Sequence, residues 1–324
     1  MEILNGLDFS SILRAKQLLE KGGVVAFPTE TVYGLGADAL NPYAVAKIFE
    51  IKRRPRFDPL IVHIDRREWL EELSSNLPKK ALLLTERFWP GPLTIILKKR
   101  PIIPDIVTAG LSTVGIRMPA HPVAQELIRS LNRPIAAPSA NPFGYISPTM
   151  ADHVAHMLKD RVEVILDGGK SVFGIESTIV SFLDDSVFIN RHGAISAEEI
   201  SDVIGPVLEA KDKGVCESPG SLPYHYSPHK PLKIVNSPLE IATEDSSFLS
   251  FKRPLIRVIS RYVRILSEQG DLREAAANFF SYLIELDKKD VGIIYAERIP
   301  EKGLGKAIME RLKKASKKHT HTTL

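Results

Sequence analysis

The spacing of apolar and polar positions divides the chain into helices and strands of ordinary length. Across residues 10–23, Ile12, Ala15, Leu18 and Leu19 recur at helical spacing. Ser10 or Ser11 can cap that helix, and Gly22-Gly23 stops it. The apolar run 24–27 predicts a short buried strand ending at Pro28. Asn41-Pro42 opens a second helix, with proline at its first position, which carries Ala44, Val45, Ile48 and Phe49 into the basic run Lys52-Arg53-Arg54-Pro55. Strands are predicted at 60–64, 93–97, 114–118, 134–137, 162–166, 177–182 and 187–190, and helices at 78–89 and 123–131. The mixture is α/β, without the clean alternation of a simple doubly wound sheet.

After Gly205 the pattern changes. Residues 214–231 hold Pro219, Pro223, Pro228 and Pro231, with Tyr224, His225 and Tyr226 among them, the composition of an extended linker. Periodicity then resumes as strand 255–259, helix 272–286, strand 291–295 and helix 304–315, the order of a small α/β domain with a parallel pair. The predicted organisation is a first domain over 1–205, a linker over 206–231 and a C-terminal domain over 232–324.

Composition narrows the function classes. At 324 residues, 44% hydrophobic and 25% charged, the chain can bury full cores without staples. Its formal charge of +4 suits nucleotide or nucleic-acid binding, and equally an ordinary mixed-charge surface. A single cysteine, Cys216, permits neither an internal disulfide nor a cysteine-based zinc site and points to a reducing compartment. No apolar run reaches 18 residues and the first residues lack a signal-peptide pattern, so a cytoplasmic protein with no membrane partner is expected. There is no Walker A sequence and no glycine-rich dinucleotide fingerprint.

Four clusters stand where α/β proteins place ligands. The segment 28–36, Pro-Thr-Glu-Thr-Val-Tyr-Gly-Leu-Gly, is dense in hydroxyls and glycines that let backbone approach a small polar ligand, and would also serve a plain strand-to-turn crossing. Lys52, Arg53 and Arg54 can neutralise phosphate, or simply complement a helix C-terminus. Ser139 and Asn141, two apart between prolines, can reach one phosphate or ribose, or cap a turn. His63, Arg117, Ser177 and Arg191 are polar positions in apolar strands, and an arginine there must find an acceptor in a ligand or in the protein.

No single cluster decides between these readings; their order does. The segment 28–36, the Lys-x-Arg of Lys52 and Arg54, Pro59-Leu60-Ile61-Val62-His63, Trp89-Pro90-Gly91-Pro92-Leu93-Thr94, Gly115-Ile116-Arg117-Met118-Pro119 and the Ser-x-Asn of Ser139 and Asn141 follow one another as in YrdC-domain proteins. The whole chain resembles the long form of the threonylcarbamoyl-AMP synthase family, including a linker like 218–228 and a C-terminal signature like Gly303-Leu304-Gly305-Lys306-Ala307 with Arg311-Leu312. The resemblance implies a twisted, open mixed sheet with a concave basic face, plus a small Rossmann-like C-terminal domain. It implies condensation of L-threonine with bicarbonate and ATP to threonylcarbamoyl-AMP and pyrophosphate, for a separate complex that modifies tRNA, with tRNA or that complex as a further partner. Carried over by motif position, Thr31, His63, Arg117, Ala137 and Ser177 surround threonine. Lys52, Arg54, Asp58, Thr113, Ser139, Asn141, Ser147, Arg191 and Tyr226 hold ATP, and Lys52, Arg54, Ser139 and Asn141 act on the reacting phosphates. Mg²⁺ would be held mainly through ATP phosphates, with no protein ligand assigned.

Two features depart from the resemblance: Asp58 stands where the family commonly has asparagine, and Ser221 where it has methionine. The linker is expected to fold over the cleft, with His225 or Tyr226 reaching the nucleotide. A carbamoyltransferase with another acceptor and a non-catalytic RNA-binding protein are the competing readings. The single cysteine speaks against the zinc-finger carbamoyltransferases, and the modest charge and lack of an RNA-recognition motif speak against the second.

Overall fold

The computed structural model describes residues 1–183, 185–210 and 225–317. Most of the linker predicted at 206–231 therefore lies outside the described residues. The larger sheet has eleven strands: β1 (Glu2–Asn5), β2 (Val25–Phe27), β3 (Gly34–Asp38), β4 (Ile61–His63), β5 (Leu93–Lys98), β6 (Thr113–Arg117), β7 (Ile135–Ala136), β8 (Val164–Asp167), β9 (Thr178–Leu183), β10 (Ser186–Arg191) and β11 (Leu208–Glu209). Their order is β1-β8-β2-β3-β7-β4-β6-β5-β9-β10-β11, with parallel and antiparallel neighbours, so the sheet is mixed. The helices accompanying it are α1 (Phe9–Glu20), α2 (Pro42–Lys52), α3 (Trp69–Leu73), α4 (Lys79–Phe88), α5 (Asp105–Thr108), α6 (Pro122–Leu131), α7 (Ala151–Leu158) and α8 (Ala197–Ile204).

Local chemistry sets the ends of these elements. The Asn41 side chain accepts from the amides of Tyr43 and Ala44 to cap α2, which closes at Arg53 in the left-handed region. Ser196 and Glu199 form a reciprocal capping box at α8. That helix, β1, β3 and α7 are absent from the sequence-based reading, although Ser-x-x-Glu at 196–199 signals the first of them.

The pleat decides which face carries the site. In β6, Val114 and Ile116 enter the main core with Val62, Ile95 and Val180, while Thr113, Gly115 and Arg117 point to the other face. Helices α2, α4, α7 and α8 contribute to that main core. Near β2 and β8 the opposite face is covered by α1 and α6, which pack with Val25, Phe27, Val164 and Leu166. From β4 to β9 the same face carries only a small cluster of Ile61, Ile96 and Ile179. One stretch of sheet is thus clothed by helices on one side and left as a groove on the other.

A second sheet of four parallel strands, order β12-β15-β13-β14, is built by β12 (Leu232–Val235), β13 (Ser246–Ser250), β14 (Tyr262–Ile265) and β15 (Ile293–Glu297), with α9 (Leu272–Asp287) and α10 (Leu304–Ser316). The strand predicted at 255–259 does not form. Pro254 removes a ladder donor and Leu255 is 96% exposed, so the chain crosses irregularly between β13 and β14. β11 lies within the segment predicted as linker yet pairs with β10, so the first sheet runs past residue 205. Besides cores of their own, the two sheets share one cluster: Val32, Tyr145, Ile146, Ile175 and Ala194 of the first part pack with Tyr226, Phe279, Phe280 and Leu312 of the second.

Candidate active site

The C-terminal ends of β4 and β6, the loop after β7, the turn before β9 and the end of β10 converge on one small cleft. Thr31, His63, Arg117, Ala137 and Ser177, the five positions grouped around threonine by resemblance, all line it. So do Arg54, Ser139, Arg191 and Tyr226 from the nucleotide group. These residues come from points more than 190 positions apart in the chain and meet because sheet order, not chain order, sets their neighbours.

Arg117 is 4% exposed and held by protein acceptors. Its Nη2 donates to Glu30 Oε1 at 2.6 Å, Nη1 to Thr31 Oγ1 at 2.8 Å and Nε to the Gly91 carbonyl at 3.3 Å. Glu30 Oε2 accepts in turn from the Ala120 amide. The pair is buried on both sides, so the guanidinium has a fixed direction and Glu30 a compensated charge. Beside it, burial and then the Arg117 charge push His63 down to about 3, leaving a neutral imidazole whose Nδ1 has no partner among the described residues. Ser177 Oγ lies 2.7 Å from Thr94 Oγ1 and accepts from Arg191 Nη2 at 3.0 Å. Burial lowers the Arg191 pKa, and its Nε and Nη2 both donate to the Ser177 carbonyl.

The remaining nucleotide-group residues are arranged differently. Lys52 is buried and outside the cleft lining. Its Nζ donates to the Ser139 carbonyl at 2.5 Å and to the Asn141 carbonyl, so it buttresses the Ser139–Asn141 loop from behind. Burial, and then the neighbouring Arg54, hold its ammonium well below the usual lysine value. The Asn141 amide donates to the carbonyls of Pro142 and Tyr145, and its Oδ1 has no partner among the described residues. Asp58 forms a buried ion pair with Arg54 at 2.8 Å, so its charge is neutralised within the protein. Ser147 donates to Glu176 Oε1 at 2.6 Å and does not line the cleft.

Thr113 stands four residues from Arg117 along β6, about 13 Å at strand rise. The face nevertheless continues between them: a second pocket shares Ile61 with the cleft and includes Gly115 and Thr113. A third, of about 890 Å³, shares Thr113 and Ile96 with the second and reaches Asn190. Ile61 is thus common to the cleft and to a neighbouring pocket that Gly115, Thr113 and Ile179 also line. The apolar residues along this face suit a base or sugar, and the arginines lining the cleft suit anionic groups.

Residues outside the two groups complete the walls. Glu176, which the sequence reading missed, lines the cleft, as do Thr29 from the segment 28–36 and His225, one of the two linker residues expected to reach the nucleotide; Tyr226, which the nucleotide group includes, adopts φ 62°. That is an unfavourable conformation for an aromatic residue, held here by burial against Phe280 and His225. Glu176 lay beside Ser177 in the sequence, but an acidic residue at a strand start carries no signal of what it will face.

Residues 17–193 match the family described as telomere recombination (Sua5, YciO, YrdC), and residues 195–317 match the threonylcarbamoyl-AMP synthase C-terminal domain. The chain belongs to the Sua5/YciO/YrdC family. It is 42% identical to the threonylcarbamoyl-AMP synthase of Pyrococcus abyssi over 93% of each chain. It is 45% identical to that of Bacillus subtilis, over 94% of this chain and 92% of the relative. The crystal structure of P. abyssi Sua5 complexed with L-threonine superposes with a TM-score of 0.91 at 39% identity, covering 98% of both chains. As in that Sua5 protein, a mixed α/β sheet is followed by a C-terminal domain. Among the described residues no helix is long and apolar enough to cross a membrane.

Proposed function

We infer that the protein is a threonylcarbamoyl-AMP synthase, an adenylate-forming nucleotidyltransferase that uses L-threonine and ATP. The observation that carries this is the convergence of Thr31, His63, Arg117, Ala137 and Ser177 in one cleft beside Arg54, Ser139 and Arg191. In this reading Arg117 fixes the threonine carboxylate, and the neutral His63 and the hydroxyls of Thr31 and Ser177 take its remaining polar groups. The nucleoside lies along the sheet face toward Thr113 with Tyr226 against it, and Arg54, Ser139 and Arg191 face the phosphates. Lys52, Asn141, Asp58 and Ser147 shape the site from behind: Lys52 fixes the Ser139 loop, Asp58 fixes Arg54, and Ser147 fixes Glu176.

The chemistry asks for positioning. The threonine amine combines with bicarbonate to a carbamate, with loss of water. The carbamate oxygen then bonds to the α-phosphorus as the bond to pyrophosphate breaks. Neither step needs a protein nucleophile; both need reactants held in line and charge offset. Bicarbonate is part of the proposal, as are cytoplasmic location, a downstream transfer of the product to tRNA adenosine, and the division into a catalytic domain at 1–205, a connecting segment and a C-terminal domain from 232. So is Mg²⁺. No group of three or more His, Cys, Asp or Glu suited to a metal occurs among the described residues. The nearest carboxylates are engaged, Glu30 by Arg117 and Ala120, and Glu176 by Ser147 and Arg311. No such ligand set occurs among the described residues, so the ion would be carried on ATP phosphates.

The test is incubation of the protein with ATP, L-threonine and bicarbonate, reading threonylcarbamoyl-AMP by mass spectrometry against pyrophosphate released. Product that vanishes when threonine or bicarbonate is omitted supports the reading. Threonine and ATP binding without product overturns it.

A further inference from the structure

One wall of the cleft is held by a side chain from the C-terminal domain. Arg311, in α10, is 1% exposed and among the largest fully buried side chains. Its Nε donates to Glu176 Oε2 at 2.7 Å, and its Nη1 to the carbonyls of His192 at 2.8 Å and Ala307 at 2.9 Å. Its guanidinium carbon lies 5.4 Å from the centre of the Tyr226 ring. Two of these partners adjoin cleft residues in the chain: Glu176 precedes Ser177, and His192 follows Arg191. Tyr226 lines the cleft itself. Glu176 passes the restraint on, because its other oxygen accepts from Ser147.

Stability alone does not explain this arrangement. A buried ion pair gains little over an apolar replacement of similar volume, and Arg311 Nη2 has no partner among the described residues. What the guanidinium does provide is geometry: a rigid planar fork that fixes two partners on different strand ends at once. We propose that Arg311 is a positioning residue for adenylate formation, holding Ser177, Arg191 and Tyr226 in register across the cleft through Glu176, His192 and ring contact, so that the C-terminal domain is part of the substrate site. This rests on the function proposed above.

The full chain is compared with Arg311→Lys, Arg311→Met, Glu176→Gln and the double variant Arg311→Met/Glu176→Gln. Threonine dissociation is measured by calorimetry, KM and kcat by pyrophosphate release, and folding by thermal melting. Loss of folded protein lowers the binding stoichiometry and the apparent kcat but leaves KM unchanged, whereas a displaced wall raises KM and the threonine Kd. The expected result is a rise of about tenfold or more in both for each Arg311 variant, the scale of a lost charge-assisted hydrogen bond. The double variant should bind threonine no worse than Arg311→Met, and should melt higher because no lone charge stays buried. Folded Arg311→Met or Arg311→Lys protein with wild-type KM and Kd overturns the inference. If Arg311→Met fails to fold, Arg311→Lys and the double variant decide. Wild-type protein that neither binds threonine nor makes product overturns the functional reading and this inference with it. Wild-type protein that does both, beside unchanged variants, overturns the inference alone.

Discussion

Gly193 offers a sharp test of how closely the cleft wall is built. A Cβ placed there would lie 2.3 Å from the Ser177 carbonyl carbon, 2.3 Å from the Thr178 nitrogen and 2.4 Å from the Glu176 carbonyl oxygen. All three are backbone atoms, so no rotamer change relieves the overlap, and the strand end at 191–193 must separate from 176–178 by about 1 Å to restore ordinary contact. The backbone at Gly193 is not in the left-handed region, so the penalty of Gly193→Ala is purely steric. Overpacking of this kind costs about 1–3 kcal/mol of stability. The functional cost should be larger. The separation acts directly on Ser177 and on the Arg191 guanidinium that donates to its carbonyl and hydroxyl. A misplacement of about 1 Å in a substrate-positioning group can cost on the order of 10²-fold in rate. The assay is threonine titration by calorimetry together with steady-state turnover. Gly205→Ala serves as the control, because Gly205 has φ 79° but nothing within 4 Å, so alanine there strains the backbone without touching the cleft. Gly193→Ala protein that binds threonine and turns over like the parent would refute the argument that close approach at this position sets the wall.

Other substitutions probe the remaining walls. Arg117→Met should abolish threonine binding and destabilise by about 3–5 kcal/mol, because Glu30 is left buried with its charge uncompensated. Adding Glu30→Gln should recover stability but not binding, and recovery of binding would count against the carboxylate role. Asp58→Asn removes the charge that offsets Arg54 while leaving Arg54 bonded to the carbonyls of Asp58 and Pro59. KM for ATP should fall, most at low salt, and an unchanged or raised KM in a folded variant would remove Arg54 from the phosphate site. His63 and His225 are both pushed down to about 3 from 6.5, chiefly by burial. Between those values the unfolded chain binds protons that the folded one does not. The stability they permit is complete above pH 6.5 and is lost as pH falls toward 3, by up to about 1.4 kcal/mol per pH unit for each. Urea titrations from pH 7.5 to 4.5 should show a shallower decline for His63→Gln than for the parent, and parallel curves would mean that His63 is not buried neutral.

Much of this was legible in the residues. The alternation within 113–117 already separates Val114 and Ile116 from Thr113, Gly115 and Arg117, and the structure keeps that division. Asn41-Pro42 marks the start of α2, and Pro122 stands at the first position of α6. The strand read at 255–259 failed because a short apolar run says nothing about whether a sheet will accept it. Pro254 and the exposure of Leu255 show that this one was refused. The strands flanking it, Ser246–Ser250 and Tyr262–Ile265, have weaker apolar patterns and were placed by pairing with β15 and with each other.

The sequence by itself determined many of the elements, the family and most of the polar groups that meet in the cleft, because periodicity, caps and ordered motifs are local properties of a chain. Only the tertiary structure decided what those groups do to one another. Lys52 turns away from the cleft to hold the Ser139–Asn141 loop, Asp58 pairs with Arg54, Ser147 is spent on Glu176, and Arg311 reaches from the second sheet's domain to the wall of the first. The physical reason is that a buried charge or hydroxyl must find a partner wherever folding brings one within about 3 Å. Which partner that is depends on the order of strands in the sheet and the docking of α10, neither of which any single stretch of sequence encodes.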